Sequence, residues 1–521
     1  LGIGDWGLVN GDCRLSIIED WRLGILPTAR RSAIGNRQSA IVNRQSQIGT
    51  RQIENRHLAS PAGSCQNETP LDDPVAYYHS LLQDPALTSA EVCQQLADEM
   101  RQRNLCFGDR LLCPYFRPHF VSRSLYQRLA ETVACLCRAI DKVSRLVLGE
   151  DSRLQRLGLT ELERQLALID PGYPEMHITT RFDSFSSDQS IQFVEYNAES
   201  PAGIAYADGL ADLFSGLEIS RRFAERFPYS IPRPRPKVLD VLLETYRQWG
   251  GKDRPAVAIV DWKDVPTRAE QELFMEDFRA RGCDCVLAEP DELEYRSGVL
   301  RAHGAAIDLI YRRLLVHEFA AHYDATHPLV RAYTDRAVCV VNSFRSKLAH
   351  KKMLFALLTD PKTQEHFTSA EKQAIDRHIP WTRKLEDAFT DYQGKKVDLL
   401  AFASANRDRM ILKPNDDYGG KGIVVGWECD DCQWRSALDT ALTKSGGSGD
   451  NTYVIQEKVQ VRKERFPRWD RDFQMQEVLV DMDPFVFTGE IEGALTRLSE
   501  TSLCNVTSGG GQVPLFILEN L

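Results

Sequence analysis

Two strand-like segments, 177–182 and 190–196, carry the pattern that most constrains this chain: Arg181-Phe-Asp183, then Glu195-Tyr-Asn197. Side chains two apart on a strand share a face, so Arg181 lies beside Asp183 and Glu195 beside Asn197. If the two strands are neighbours, Asp183, Glu195 and Asn197 converge as hard oxygen ligands. Such a set suits Mg²⁺, which favours carboxylate and carbonyl oxygen together with phosphate. Arg181 alongside would stabilise charge on a transferring phosphoryl group. A surface hairpin with an Arg–carboxylate pair accounts for the same residues about as well in isolation.

The rest of the chain has an ordinary globular composition: 521 residues, 43% hydrophobic and 26% charged. That length allows several structural units with sizeable cores. A net charge of −10 argues against a general nucleic-acid binder, which needs a basic surface to displace counterions. There is no run of 18 apolar residues and no basic-then-apolar leader, so the expectation is a cytoplasmic protein with no membrane partner. Thirteen cysteines are scattered and odd in number, and Cys429-Asp-Asp-Cys432 lacks the second pair that a zinc knuckle requires. Reduced, incidental thiols are expected. Residues 30–56 repeat every seven positions, with Ile34, Ile41 and Ile48 in step with Arg37, Arg44 and Arg51. Each repeat has too few apolar residues for a coiled-coil seam. The chain starts at Leu1 and its first Met is Met100, so residues 1–66 read as a disordered, dispensable tail, either translated repetitive DNA or a native flexible segment.

From Pro70 the pattern becomes globular. Helical spacing predicts helices over 74–103, 122–150 and 160–169, a helical N-terminal region spanning 67–170. The segment 171–236 holds the two strands, a helix over 204–227 and a stiff Pro-rich connector, 231–236. Strands at 256–260, 285–288 and 307–311 alternate with helices at 237–250 and 269–281, which predicts a small parallel-sheet unit within 237–345. A helix over 346–358 and a mixed polar stretch, 360–408, precede a β-rich end with strands at 410–413, 423–426, 453–457, 474–480 and 484–489.

The β-rich end carries a second motif, Ile411-Leu-Lys-Pro-Asn-Asp-Asp-Tyr-Gly-Gly-Lys-Gly-Ile-Val-Val425. A strand delivers Lys413, and a loop with Gly419, Gly420, Lys421 and Gly422 follows. Glycines let backbone N–H groups approach an anion closely, and the lysines add positive charge. The spacing is not that of a Walker A loop, and strand–loop–strand replaces strand–loop–helix. A hairpin with a Gly-rich turn is the plain alternative. About 40 residues on, the strand of Tyr453-Val-Ile-Gln-Glu-Lys-Val459 ends in Gln456, Glu457 and Lys458. Its backbone suits an adenine edge and its carboxylate a ribose hydroxyl or exocyclic amine; an edge strand with a polar end reads equally well.

Together these motifs resemble the ATP-grasp enzymes, in which two β-rich lobes hold ATP between them. In most of that superfamily Glu-x-Asn follows the nucleotide lobe; here Glu195-Tyr-Asn197 precedes Lys413 by more than 200 residues. That order resembles the circularly permuted group that includes the synthetase domain of glutathionylspermidine synthase. The resemblance covers about residues 170–515. It implies an α+β or α/β chain with a circularly permuted ATP-grasp fold, a small pre-ATP-grasp-like α/β unit, and a nucleotide lobe with closing segment over 346–521. It further implies ATP and two Mg²⁺ ions, with Asp183, Glu195 and Asn197 as metal ligands and Arg181 on the γ-phosphate. Lys413 would take the α-phosphate. Lys352 would be the second ATP lysine, with Lys347 and Lys351 as alternatives. Gln456, Glu457 and Lys458 would line the adenine, and Arg497 of Gly493-Ala-Leu-Thr-Arg497 would be a second transition-state cation. The run Ser508–Gly511 would be a mobile lid or a turn. The implied activity is ligation of a carboxylate to an amine through an acyl phosphate, on amino acids, peptides or polyamines. A phosphotransferase on the same scaffold and a non-catalytic nucleotide-binding partner protein are the rivals. Tyr311-Arg312-Arg313 is a candidate dock for the acceptor carboxylate, or else a surface Arg pair. His177 reads as polar support or as an ordinary core or surface histidine.

Overall fold

Asp73, Asp84 and Ser89 each cap a helix, so the predicted helix over 74–103 is three: Pro74–Leu81, Pro85–Thr88 and Ala90–Gln102. Each cap side chain accepts a backbone N–H two or three residues on, and Pro85 fits a first turn but not a helix interior. The computed structural model describes residues 73–417, 419–445, 452–469, 473–501 and 510–519. The readings of residues 1–66 and of Ser508 and Gly509 lie outside the described residues.

Helix α1, Arg123–Gly149, starts where Ser122 Oγ accepts the Leu125 N–H. Its buried stripe of Leu125, Leu129, Val133, Leu136 and Ile140 forms one core with Phe182, Phe193 and Tyr196. Those aromatics come from β1, Thr179–Ser186, and β2, Ile191–Asn197, an antiparallel pair. Their register sets Arg181 opposite Asn197 and Asp183 opposite Glu195, with an irregularity between Asp183 and Ser184.

Helix α2, Ile204–Ser215, follows. The expected connector at 231–236 is instead partly helical: Pro234 and Pro236 lie in the first turn of α3, Pro234–Trp249. Proline lacks only an N–H that has no intrahelical partner there. Strand β3, Val257–Val260, leads through α4, Arg268–Ala280, to β4, Cys285–Ala288; β5 is Leu309–Arg312 and β6 Cys339–Val341. These four strands are parallel in the order β6-β5-β3-β4, as the strand–helix alternation suggests.

Two short helices, α5 (Lys347–His350) and α6 (Met353–Leu358), lead to a separate antiparallel sheet. Its strands are β7 (Thr382–Lys384), β8 (Met410–Pro414), β9 (Val424–Val425) and β10 (Tyr453–Glu457), in the order β7-β10-β8-β9. Four later strands are β11 (Lys463–Trp469), β12 (Phe473–Phe487), β13 (Glu490–Ser499) and β14 (Gly511–Val513). They join β1 and β2 in one sheet, ordered β14-β13-β12-β1-β2, with β11 also on β12.

Two corrections concern this last sheet. The strands expected at 474–480 and 484–489 are one strand, β12, which accommodates Pro484 at a shift of register against β13. Strand β13 was not anticipated. It returns through a two-residue turn in which Thr488 and Gly489 have φ of +48° and +92°, a left-handed pair that matches the twist of a hairpin.

Candidate functional site

The Asp183 carboxylate is the hub of the site. Its Oδ1 accepts from Arg181 Nε at 2.9 Å and from Asn197 Nδ2 at 2.7 Å; its Oδ2 accepts from Arg497 Nη2 at 2.8 Å. Arg497 reaches it from β13, where it pairs in register with Asp481 of β12. Its Nε donates to Asp481 Oδ2 at 2.9 Å, and its Nη2 lies 2.7 Å from Asp483 Oδ2. Asp483 Oδ1 in turn accepts the Ser184 N–H at 2.8 Å, at the irregularity in β1. Burial raises the Asp183 carboxyl, but Arg181 and Arg497 outweigh it and hold the group down at about 2. Burial wins at Asp481, pushed up to about 6, and at Asp483, raised well above the usual carboxylate range despite Arg497.

Glu195, across from Asp183, pairs with Lys352: Oε1 lies 3.1 Å from Nζ. Lys352 also donates to the Asp417 carbonyl at the root of the glycine-rich loop. Lys413 comes from β8 and is nearly fully buried; it donates to Gln456 Oε1 at 2.7 Å and to the Val194 carbonyl at 3.2 Å. Burial pushes its ammonium down to about 8, with Glu195 opposing that shift and Lys352 adding to it. Gln456 is fixed in turn by Thr382 Oγ1, 3.1 Å from its Nε2. The loop that follows β8 runs through Gly419, Gly420 and Gly422, at φ of +68°, +78° and +67°. A Cβ on Gly422 would stand 2.7 Å from Pro414 Cγ, so this position needs glycine both for its backbone and for the contact.

Eight of the residues singled out in sequence therefore form one linked set: Arg181, Asp183, Glu195, Asn197, Lys352, Lys413, Gln456 and Arg497. Others stand apart. Glu457 accepts from Tyr392 OH at 2.9 Å and pairs with Arg409, and Lys458 lies over the Trp427 ring. Lys421 is exposed. Lys347 and Lys351 are buried in ion pairs with Asp416 and Glu163, so of the three candidate lysines only Lys352 touches a candidate metal ligand. The Arg312–Arg313 dock is not available. Arg312 is fully buried and donates to the carbonyls of Asn342 and Leu314, at 2.9 Å and 2.7 Å, and to Ser346 Oγ. Arg313 is held by Glu270 at 3.1 Å and the Pro201 carbonyl at 2.7 Å. His177 is packed edge-on against Tyr196 behind the hairpin, and burial pushes it down to about 3. Cys429 is a free thiol, as are the other described cysteines. Asp481 and Asp483 are not among the residues singled out in sequence; their signal there is a spacing of two within the otherwise apolar stretch 478–487 of β12.

Among the described residues no group of three His, Cys, Asp or Glu could hold a metal ion; the oxygen set here is two carboxylates with the Asn197 amide beside them. Asn197 gives an N–H to Asp183 and keeps its amide oxygen as an acceptor. Glu195 is the more accessible carboxylate, its side chain 18% exposed against 13% for Asp183. Two carboxylates and an amide oxygen are of the right kind for Mg²⁺.

The chain is similar in fold to a glutathione synthetase-like effector from Globodera pallida solved in its apo form. The TM-score is 0.52 at 13% identity, covering 86% of this chain and 98% of that one. Two curated relatives follow from sequence. One is "Putative glutamate--cysteine ligase 2-2" of Frankia casuarinae, 23% identical over 62% of this chain and 36% of its own length. The other is "Putative glutamate--cysteine ligase 2-3" of Frankia alni, 25% identical over 67% of this chain and 39% of its own. The chain thus spans under two fifths of the curated relatives it matches. No family model matches it. Among the described residues, no helix is long and apolar enough to cross a membrane.

Proposed function

We propose that this chain is an ATP- and Mg²⁺-dependent carboxylate–amine ligase with a circularly permuted ATP-grasp core. Its parts would be residues 67–170, 171–236, 237–345 and 346–521. The observation that carries the reading is the meeting of segments far apart in sequence. The oxygen set of Asp183, Glu195 and Asn197 adjoins Lys352 and Lys413 at the root of a glycine-rich loop, with Arg181 and Arg497 on its other side. The ligase names carried by the Frankia relatives, and the glutathione synthetase-like fold, support the same class.

In this reading Asp183, Glu195 and Asn197 hold Mg²⁺, which when bound neutralises phosphate charge and fixes the reacting geometry. Lys413, Lys352 and the loop amides bind the ATP phosphates. A carboxylate oxygen of the first substrate attacks the γ-phosphorus and ADP leaves, giving an acyl phosphate. The second substrate's amine attacks the acyl carbon, phosphate leaves, the amine loses its proton, and an amide remains. The protein supplies position and charge, so no nucleophilic Ser or Cys is required. Product analysis with a panel of amino acids, peptides and polyamines tests this. ADP with a new amide is expected; ADP with a phosphorylated acceptor would make it a phosphotransferase, and ATP binding with no ADP a non-catalytic binder.

Lys413 gives the site a pH dependence. Its ammonium is charged below about pH 8 and lost above it. MgATP affinity is expected to hold between pH 6 and 7 and to weaken about tenfold by pH 9, as the unliganded lysine deprotonates. Calorimetric titration across that range reads the effect, and Lys413→Met should flatten it; an unchanged slope in that variant would move the dependence to another group.

A further inference from the structure

The root of the glycine-rich loop is gripped by the stretch 347–353, of which the proposed chemistry uses only the Lys352 side chain. The Lys352 N–H donates to the Asn415 carbonyl at 2.9 Å and the Met353 N–H to Asn415 Oδ1 at 2.8 Å. Lys347 Nζ lies 2.7 Å from Asp416 Oδ1, and Lys351 Nζ donates to Asp416 Oδ2. The same two lysines are held from behind. Lys351 reaches Glu163 at 3.1 Å; Lys347 reaches Glu163 at 3.3 Å and Glu199 at 3.4 Å. Glu199 stands two residues past Asn197, at the end of the strand that carries Glu195. Arg312 lies 3.7 Å from its other oxygen. Three carboxylates (Glu163, Glu199, Asp416) thus face three cations (Lys347, Lys351, Arg312), and every side chain in the set is no more than 6% exposed. His317 and His350 flank the cluster, at 3.6 Å from Asp416 and 3.7 Å from Glu199.

We infer that this buried charge cluster is a bracket that fixes the glycine-rich loop relative to the strand bearing Glu195 and Asn197, with Asp416 and Lys351 as positioning residues for nucleotide binding. The inference rests on the MgATP reading of the site. A network of this kind is a costly way to gain stability, since apolar side chains of similar volume serve as well or better, but it holds its members in one arrangement. It ties down Asn415, Asp416 and Asp417, whose neighbours Gly419–Gly422 carry the amides that would face phosphate.

Asp416→Asn alone leaves a lysine without its counter-charge and risks misfolding. The informative protein is the full chain with Asp416→Asn and Lys351→Met together, which removes one charge of each sign. Hydrogen exchange over residues 414–422 is expected to rise at least about tenfold in this variant while exchange in α1 stays at the wild-type level. MgATP Kd by calorimetry is expected to rise about tenfold or more, and restoring Asp416 alone should not recover it. Wild-type exchange over 414–422 together with wild-type Kd would overturn the bracket. Failure of the unmutated chain to bind MgATP would overturn the nucleotide reading, and with it the bracket's role in binding; the exchange arm separates that outcome from a failure of the bracket itself.

Discussion

Replacing Glu195 by Gln is expected to lower ATP turnover by at least about a hundredfold, the order seen when one preorganised charge-stabilising group is removed from an active site. The substitution keeps the shape of the side chain and removes one charge. In the unliganded protein Gln still offers Lys352 an oxygen to donate to, and Lys352 keeps the Asp417 carbonyl, so no buried polar group is left without a partner. The melting temperature should therefore hardly move. Asn197→Ala should do the same to turnover, because it removes the amide oxygen and leaves Asp183 with both its arginines. ADP release against the acceptor panel, run beside a thermal melt, separates loss of chemistry from loss of fold. Normal ADP release in both variants would show that the oxygen set is not the metal site.

Arg497→Met should act in the opposite way, on the fold first. Arg497 is the shared partner of Asp183, Asp481 and Asp483, the last two fully buried and Asp183 largely so. Removing it leaves two carboxylates with insufficient counter-charge, and breaking a buried pair from one side costs about 3–5 kcal/mol. At about 1 °C per kcal/mol for a chain of this size, the melting temperature should fall by roughly 3–5 °C. The sign of the pH dependence follows from Asp183. Its carboxyl is held at about 2, so its contribution is fully present above the ordinary carboxylate pKa of about 4 and is lost as the pH falls through 2. In Arg497→Met that depression weakens, so the gap between wild type and variant should be widest near neutral pH and narrow on acidification. A gap that stays constant as the pH falls from about 4 to about 2 would mean that Arg497 acts through packing and not through charge.

The hairpin of β1 and β2 was legible because its chemistry is local: two pairs at i and i+2 on strands joined by a short turn can meet in only a few ways. Lys413 and its glycine loop were legible for the same reason. The partners that complete the site were not. Asp481 and Asp483 interrupt an apolar run, and their role is visible only once Arg497 returns on a strand that a two-residue turn places beside them. The choice among Lys347, Lys351 and Lys352 turns on where α5 ends. Lys347 and Lys351, four apart, both point into the acidic cluster, while Lys352 lies past the break and faces Glu195. Arg312 and Arg313 look like a ligand dock in sequence because strand ends often are, yet the carbonyls of Asn342, Leu314 and Pro201 claim them. The proline-rich connector is a helix start for a reason that the residues alone leave open, since proline suits both.

The most direct measurement is thermal stabilisation of the whole chain by ATP, with and without Mg²⁺, in wild type and in Asn197→Ala. Any ligand that binds the folded state alone raises stability by RT ln(1 + [L]/Kd), about 2.7 kcal/mol at a hundredfold excess over Kd. A clear upward shift with MgATP, absent with Mg²⁺ alone and lost in Asn197→Ala, is the expected result. No shift in a folded wild-type sample, or an equal shift in Asn197→Ala, would contradict a nucleotide–metal site built on Asp183, Glu195 and Asn197.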